Sequence, residues 1–304
     1  MNGLLRTQWT GGRLGNQLYW PLQAYIRSTA AVKYRYLVNE GGRECGFEKA
    51  AGILNMDRYV TLDARPCEAE VMLSAPSYQR YGVDFSRQQL ESFIGETVLK
   101  ANAFGAVKRE LRWLADARDV LCLNIRNGDY IRYPNRINWA CFDRERYFRN
   151  SFELIGVERF RRLDVLSDDN ELNKRLYDNL FRRYFHKVYY LPRLTPCDDL
   201  MRLALYHDKV IMNSTFSYWG AFIGDCIYTD ATTIAPNFFT RREADSSNCA
   251  PHWAIVDVKI NKLCFGAMIL EHNWELLKAA LTLRPVRRKL FGLVEKAPTG
   301  TARG

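Results

Sequence analysis

The chain contains no uninterrupted apolar run that approaches the ~20 residues needed to cross a bilayer, so a membrane-spanning protein is not expected. Histidine is scarce. His186, His207, His252 and His272 are scattered, with no H-E-x-x-H or other ligand spacing. None of the cysteines, Cys45, Cys67, Cys122, Cys141, Cys197, Cys226, Cys249 and Cys264, forms a C-x-x-C pair, which argues against a zinc ribbon or a thioredoxin-type motif. A built-in metal site is therefore not expected. The start, Met1-Asn2-Gly3-Leu4-Leu5-Arg6, lacks the charged segment and apolar stretch of a secretory signal, so the cysteines are expected to be reduced and mostly buried. A P-loop, G-x-x-x-x-G-K-[ST], is absent, and Gly11-Gly12-x-x-Gly15 is not the dinucleotide fingerprint. No internal repeat or low-complexity segment is visible.

What remains is an ordinary globular composition, 47% hydrophobic and 26% charged over 304 residues. That length is a soft prior for two domains of roughly 150 residues. Lysine and arginine exceed aspartate and glutamate by 44 to 34, a net charge of +10. Such a balance suits nucleic acid, an anionic membrane or a phosphorylated small molecule. No recognised nucleic-acid motif appears and the arginines are spread over both halves, so nucleic acid is not an expected partner.

Residues 4–10 read as a strand. A glycine turn follows at Gly11–Gly15, and from Asn16 onward Leu18, Leu22, Tyr25, Ile26 and Thr29 recur at helical spacing. A shorter strand is expected at Tyr36–Val38 and helix over 86–117. Beyond it, apolar runs at Val120–Ile125, Leu163–Leu166, Val188–Leu191 and Val210–Met212, with a fifth at Ile227–Thr229, have the length and composition of buried strands. Helical stretches at 143–155, 170–185, 198–207 and 218–224 separate them. This alternation is the signature of a doubly wound parallel sheet. The expected division is a first α/β domain over 1–117, a second, Rossmann-type domain over 118–262, and a helical basic tail over 263–304. In the tail, Leu276, Leu277, Ala280 and Leu281 form an apolar stripe. Pro285 interrupts it, and Arg284, Arg287, Arg288 and Lys289 cluster beside Leu290, Phe291 and Leu293. Such an element either packs back on the protein or lies on an anionic membrane surface.

In an open parallel sheet, ligands bind beyond the carboxyl ends of the strands. Four segments fall there. In Asn124-Ile125-Arg126-Asn127-Gly128-Asp129-Tyr130, Arg126 presents a planar fork of donors suited to phosphate, and Asp129 is placed to brace it. In Ser167-Asp168-Asp169, Ser167 or Asp168 is expected to cap the next helix, leaving carboxylates for a base, a ribose or a metal. Asp198 reads as another cap, which leaves Asp199 free to accept two N–H donors, as the edge of guanine offers. Finally, Val210-Ile211-Met212 runs into Asn213-Ser214-Thr215-Phe216-Ser217 and then a helix. That places the hydroxyls of Ser214, Thr215 and Ser217 at a helix start that favours an anion.

These motifs, together with Gly12-Arg13-Leu14-Gly15-Asn16-Gln17 and the longer run Asn213–Ala221, resemble the α-1,2-fucosyltransferases over roughly residues 6–255, a span that takes in Ile234–Phe239 and Pro251-His252-Trp253. The resemblance implies a GT-B-like α/β fold, two Rossmann-type domains facing a cleft. It implies inverting transfer of L-fucose from GDP-fucose to a sugar hydroxyl, typically O2 of galactose, independent of metal and of any cofactor. It places Arg126 on the β-phosphate, Ser217 with Thr215 beside it on phosphate, and Asp199 on guanine. Arg13 and Asn16 fall near the reacting centre, with Asp129 as brace or general base. The family pattern His-x-Arg-Arg-Gly-Asp is altered here, with Asn124 for the histidine and Asn127 for the second arginine. That implies a weaker hold on guanine and on the leaving diphosphate, compensation by Arg13, or another nucleotide sugar. The expected partners are a nucleotide sugar donor and a glycan or lipid-linked oligosaccharide acceptor in surface polysaccharide synthesis. The expected place is the cytoplasm or the inner face of the cytoplasmic membrane. A non-catalytic polyanion- or glycan-binding protein is the competing reading from another class.

Overall fold

The computed structural model describes residues 2–7, 13–64, 69–73, 79–115, 118–130, 138–140, 142–240 and 248–258. The basic segment of the expected tail lies outside the described residues, as do Gly11 and Gly12 of the glycine turn.

Two parallel sheets carry the chain. The first contains β1 (Asn2–Thr7), β2 (Lys33–Leu37), β3 (Val60–Thr61) and β4 (Ala69–Leu73), in the order β3-β2-β1-β4. The second contains β5 (Val120–Ile125), β6 (Arg162–Ser167), β7 (Lys187–Tyr190), β8 (Asp208–Val210), β9 (Thr233–Pro236) and β10 (Ala254–Val256). Its order is β10-β9-β8-β5-β6-β7. From β7 inward the strands run third, second, first, and then fourth, fifth, sixth. This is the doubly wound Rossmann order, and its reversal lies between β5 and β8. The pair of Rossmann-type halves expected from the sequence is thus present.

The sequence explains the central strand directly. All six residues of β5 are buried. They alternate between two cores: Val120 and Cys122 point into one, and Leu121, Leu123 and Ile125 into the other. A two-residue period with apolar side chains on both faces is what a strand covered by helices on both sides requires. The first core is continuous across the two halves. Leu14, Leu18, Tyr19 and Trp20 of the first half share it with Leu200, Leu203, Tyr218, Trp219 and Phe222 of the second.

Several boundaries differ from the sequence expectation. β8 begins two residues earlier than Val210, because Asp208 and Lys209 are buried despite their charge. Ile227–Thr229 is not a strand. The N–H groups of Ile227 and Tyr228 both donate to the Gly224 carbonyl at 2.9 Å, so this segment closes the end of helix Thr215–Asp225. The fifth strand of this half is Thr233–Pro236 instead. The expected helix over 86–117 is broken into Arg87–Glu96, Asn102–Glu110 and Arg112–Ala115. Its first piece starts with a capping box between Ser86 and Gln89.

Candidate active site

Arg126 follows the last residue of β5 and lies at the reversal of strand order. Its Nη2 donates to Asp129 Oδ1 at 2.8 Å and its Nη1 donates to Asp168 Oδ2. The Tyr130 ring lies beside the guanidinium, 5.6 Å from centroid to the central carbon. The other oxygen of Asp168 accepts the Asn127 N–H at 2.8 Å. Between these residues Gly128 has φ +31°, and a Cβ there would stand 2.5 Å from Asp168 Oδ2. Glycine is what allows the loop to wrap this carboxylate. Asp129 therefore braces Arg126, as the motif implied, and Asp168 braces it from the other side.

The second component is the start of helix Thr215–Asp225. Its first N–H groups have no intrahelical acceptor, and the helix dipole makes this end positive. Ser214 occupies the cap position without a side-chain capping bond. Its hydroxyl pairs with Tyr130, whose phenol burial pushes up to about 12 against the pull of Arg126 and of this hydrogen bond. β5 and β8 are adjacent in the sheet, so the two ends converge.

The first half closes on the same place. Thr215 Oγ1 donates to Asn16 Oδ1 at 2.6 Å, and Arg13 Nη1 lies 3.7 Å from Asp129 Oδ1. A Cβ on Gly15 would lie 2.7 Å from the Thr215 carbonyl carbon, 2.8 Å from Phe216 Cα, and closer still to Phe216 N. The turn after β1 thus sits directly on the helix start.

Other expected site residues are placed differently. Ser217 is fully buried, and its hydroxyl donates to Asn124 Oδ1 at 2.5 Å. Asn124 Nδ2 donates to the Leu166 carbonyl at 3.0 Å. Both side chains are spent within the wall, so Ser217 offers no donor to a phosphate while this bond stands. Asp169, rather than Ser167 or Asp168, caps helix Asn170–Tyr184 by accepting the Leu172 N–H at 3.0 Å, while Ser167 Oγ accepts the Asp169 N–H at 3.2 Å. Asp198 is not a cap either. Thr195 caps helix Pro196–Leu205, accepting the Asp198 N–H at 3.2 Å and donating to Asp198 Oδ2 at 2.6 Å.

Asp199 follows β7, two strands along the sheet from Arg126. It is 8% exposed. Its Oδ2 accepts the Leu194 N–H at 3.3 Å. Its Oδ1 has no hydrogen-bond partner and stands 3.7 Å from Arg202 Nη1. Burial raises its carboxyl above the usual range, against the pull of the Leu194 N–H and Arg202. Far from the helix start, Asp225 Oδ2 accepts from Trp253 Nε1 at 2.7 Å and faces His252 Nε2 at 3.0 Å, pinning the opposite end of that helix.

Sequence reasoning missed Arg144. Its guanidinium donates through Nη1 to Asn127 Oδ1 at 2.8 Å and through Nη2 to the Arg126 carbonyl at 3.1 Å. The only sequence signal is an arginine just after a capping aspartate, which by itself reads as a solvated helix start. Among the described residues, no group of three or more His, Cys, Asp or Glu side chains is placed to hold a metal.

Comparison with known proteins fits this geometry. The model of glycosyl transferase family 11 matches residues 60–257, which includes Arg126, Asp129, Asp168, Asp199 and the hydroxyl-rich helix start. The chain belongs to glycosyl transferase family 11. Arg13, Gly15 and Asn16 precede the matched family 11 segment. The α-1,2-colitosyltransferase of Escherichia coli is 32% identical over 155 residues, 49% of this chain and 51% of that protein, so the match spans about half of its length. A solved structure of POFUT1 with GDP is 13% identical, covers 73% of this chain and 69% of that one, and superposes with a TM-score of 0.34. POFUT1 with GDP-fucose gives 10% identity, 74% and 69% coverage, and a TM-score of 0.33. Superpositions this loose do not transfer a binding site. No helix among the described residues is long and apolar enough to cross a membrane.

Proposed function

We propose that this chain is an inverting glycosyltransferase that moves L-fucose from GDP-fucose to a galactose-type hydroxyl, forming an α-1,2 linkage. The observation that carries the reading is the convergence of the braced Arg126 and the start of helix Thr215–Asp225 at the strand-order reversal of a family 11 chain. When the bond from the sugar to the diphosphate breaks, its electron pair leaves with the β-phosphate. Arg126 and the N–H groups of the helix start are oriented in advance to stabilise that charge. The sugar gains oxocarbenium character, and the acceptor hydroxyl attacks from the opposite face and gives up its proton to water as the glycosidic bond forms. Asp129 is held by Arg126 and faces Arg13, so its first task is bracing. The unpartnered oxygen of Asp199 suits the N–H donors of guanine, which would favour its charged form.

In this reading the cationic side chains do the neutralising and activity survives EDTA. The acceptor belongs to surface polysaccharide synthesis. A lipid-linked form would bring the basic segment Arg284–Lys289 to the inner face of the cytoplasmic membrane, which binding to anionic vesicles would test.

The direct test is transfer of radiolabelled fucose from GDP-fucose to galactose-terminated acceptors, with Arg126→Ala as control. A loss of about 10²–10³-fold in rate is expected. Full activity in that variant removes the role given to Arg126. A second donor is favoured by the colitosyltransferase relative. Colitose is L-fucose without its 3-hydroxyl. Comparing GDP-fucose with GDP-colitose separates the two, since a site built to bond that hydroxyl rejects the donor that lacks it.

A further inference from the structure

Arg144 is an expensive residue to bury. It is the first residue of helix Arg144–Ile155 and is 7% exposed. A cation at this end opposes the helix dipole. Its Nε has no hydrogen-bond partner. The Tyr177 hydroxyl and the charge of Asp168 face it, and its two terminal nitrogens grip Asn127 and the Arg126 carbonyl. Asn127 carries the grip onward. Its Nδ2 donates to Asn173 Oδ1 at 2.8 Å and to the Asp169 carbonyl at 3.3 Å. The amide at position 127 is therefore committed at both ends within the protein, with both Nδ2 protons spent.

The charges around the loop indicate what Arg144 does. Arg126 and Arg13 face Asp129 and Asp168, two cations against two anions. Asp169 gives its carboxylate to a helix start, whose N–H groups compensate it. A diphosphate approaching the first four groups alone would meet no net positive charge. Arg144 is the third cation. We propose that Arg144 is a positioning residue for Arg126 and the source of the net positive field that draws the donor's diphosphate to this loop, replacing the charge that Asn127 does not carry. This rests on the nucleotide-sugar reading above. Arg144 stands behind the loop, so it acts on the number of phosphates and not on the base. Its two-point hold on residues 126 and 127 also needs a forked guanidinium, which a lysine does not supply.

The test compares binding of GDP and GMP by titration calorimetry in the full chain. Arg144→Met is expected to weaken GDP about tenfold and GMP by less than about threefold, so that their ratio collapses. Arg144→Lys keeps the charge and most of the ratio, but slows transfer because one anchor of the Arg126 loop is lost. Asn127→Asp pairs off the Arg144 charge, gives up the two Nδ2 bonds to Asn173 and the Asp169 carbonyl, and reproduces the collapse, which keeps the test open should Arg144→Met fail to fold. Folded Arg144→Met or Asn127→Asp with the unaltered GDP-to-GMP ratio overturns the proposal. If the unaltered chain binds neither GDP nor GMP, the guanine part of the functional reading falls, and the same variants are compared with UDP and UMP. Failure to distinguish any diphosphate from its monophosphate removes the inference itself.

Discussion

A guanidinium stabilises a leaving phosphate best when its orientation is fixed before the substrate arrives. Arg126 is fixed on three sides, by Asp168, Asp129 and the Tyr130 ring. Lysine has the charge but not the fork, and it reaches only one carboxylate at a time. Arg126→Lys is expected to lower kcat/KM about 10²-fold with little change in thermal stability, since the site is partly solvated. Steady-state kinetics and a melting curve check both parts. Asp199 gives a prediction of different kind. Unfolded, it titrates near the ordinary carboxylate value of about 3.9, whereas burial raises it in the folded chain. Between those two values the folded chain keeps a proton that the unfolded chain has lost. Its contribution to stability therefore falls as pH rises through that window and then levels off. Asp199→Asn lacks this fall. Without nucleotide it is expected to be the more stable form at neutral pH, yet to bind GDP about tenfold more weakly. Denaturant unfolding across pH, with and without GDP, measures both effects.

At the scale of elements, the parts that were legible in the sequence were those whose burial is apolar. β5 and β6 announced themselves as Val120–Ile125 and Leu163–Leu166. The arginine loop and the helix start were placed correctly because both are strand ends of a doubly wound sheet. The parts that were not legible depend on distant partners. β8 starts on Asp208 and Lys209, which an apolar pattern does not register. The hydroxyl of Ser217 looked available until Asn124, 93 positions away, accepted it. Arg144 carries no signal of its role in the sequence, because only the tertiary fold supplies Asn127 Oδ1 and the Arg126 carbonyl as acceptors. The contact between Gly15 and the helix start also belongs to this scale. The atoms that an added Cβ would meet are backbone, which cannot rotate away. Gly15→Ala should therefore push the first half off Thr215 and Phe216. A destabilisation of about 1–3 kcal/mol is expected from overpacking, together with at least a tenfold loss of transfer as Asn16 parts from Thr215. Unchanged activity would show that Asn16 need not rest on that helix.

At the scale of the whole molecule, the two sheets are joined by a core, not merely by a linker. Tyr19 of the first half packs on Trp219 of the second with ring centroids 5.2 Å apart, and Phe93 approaches the same indole at 6.3 Å. Leu18, Trp20, Tyr218 and Phe222 belong to that cluster and are buried to within 2%. Were the halves to separate, this apolar surface would meet water at a cost of roughly 25 cal/mol per Å². The halves should therefore unfold together. Urea transitions followed by tryptophan fluorescence and by far-ultraviolet circular dichroism are expected to coincide in one step. Trp219→Ala should shift that single step by about 3–5 kcal/mol without splitting it. GDP at about a hundred times its Kd should raise it by roughly 2.7 kcal/mol as one unit if the proposed diphosphate site draws residues from both halves. Two separate transitions, only one of them moved by GDP, would mean that Arg13 and Asn16 contribute nothing to the bound state and that nucleotide is held by the second sheet alone.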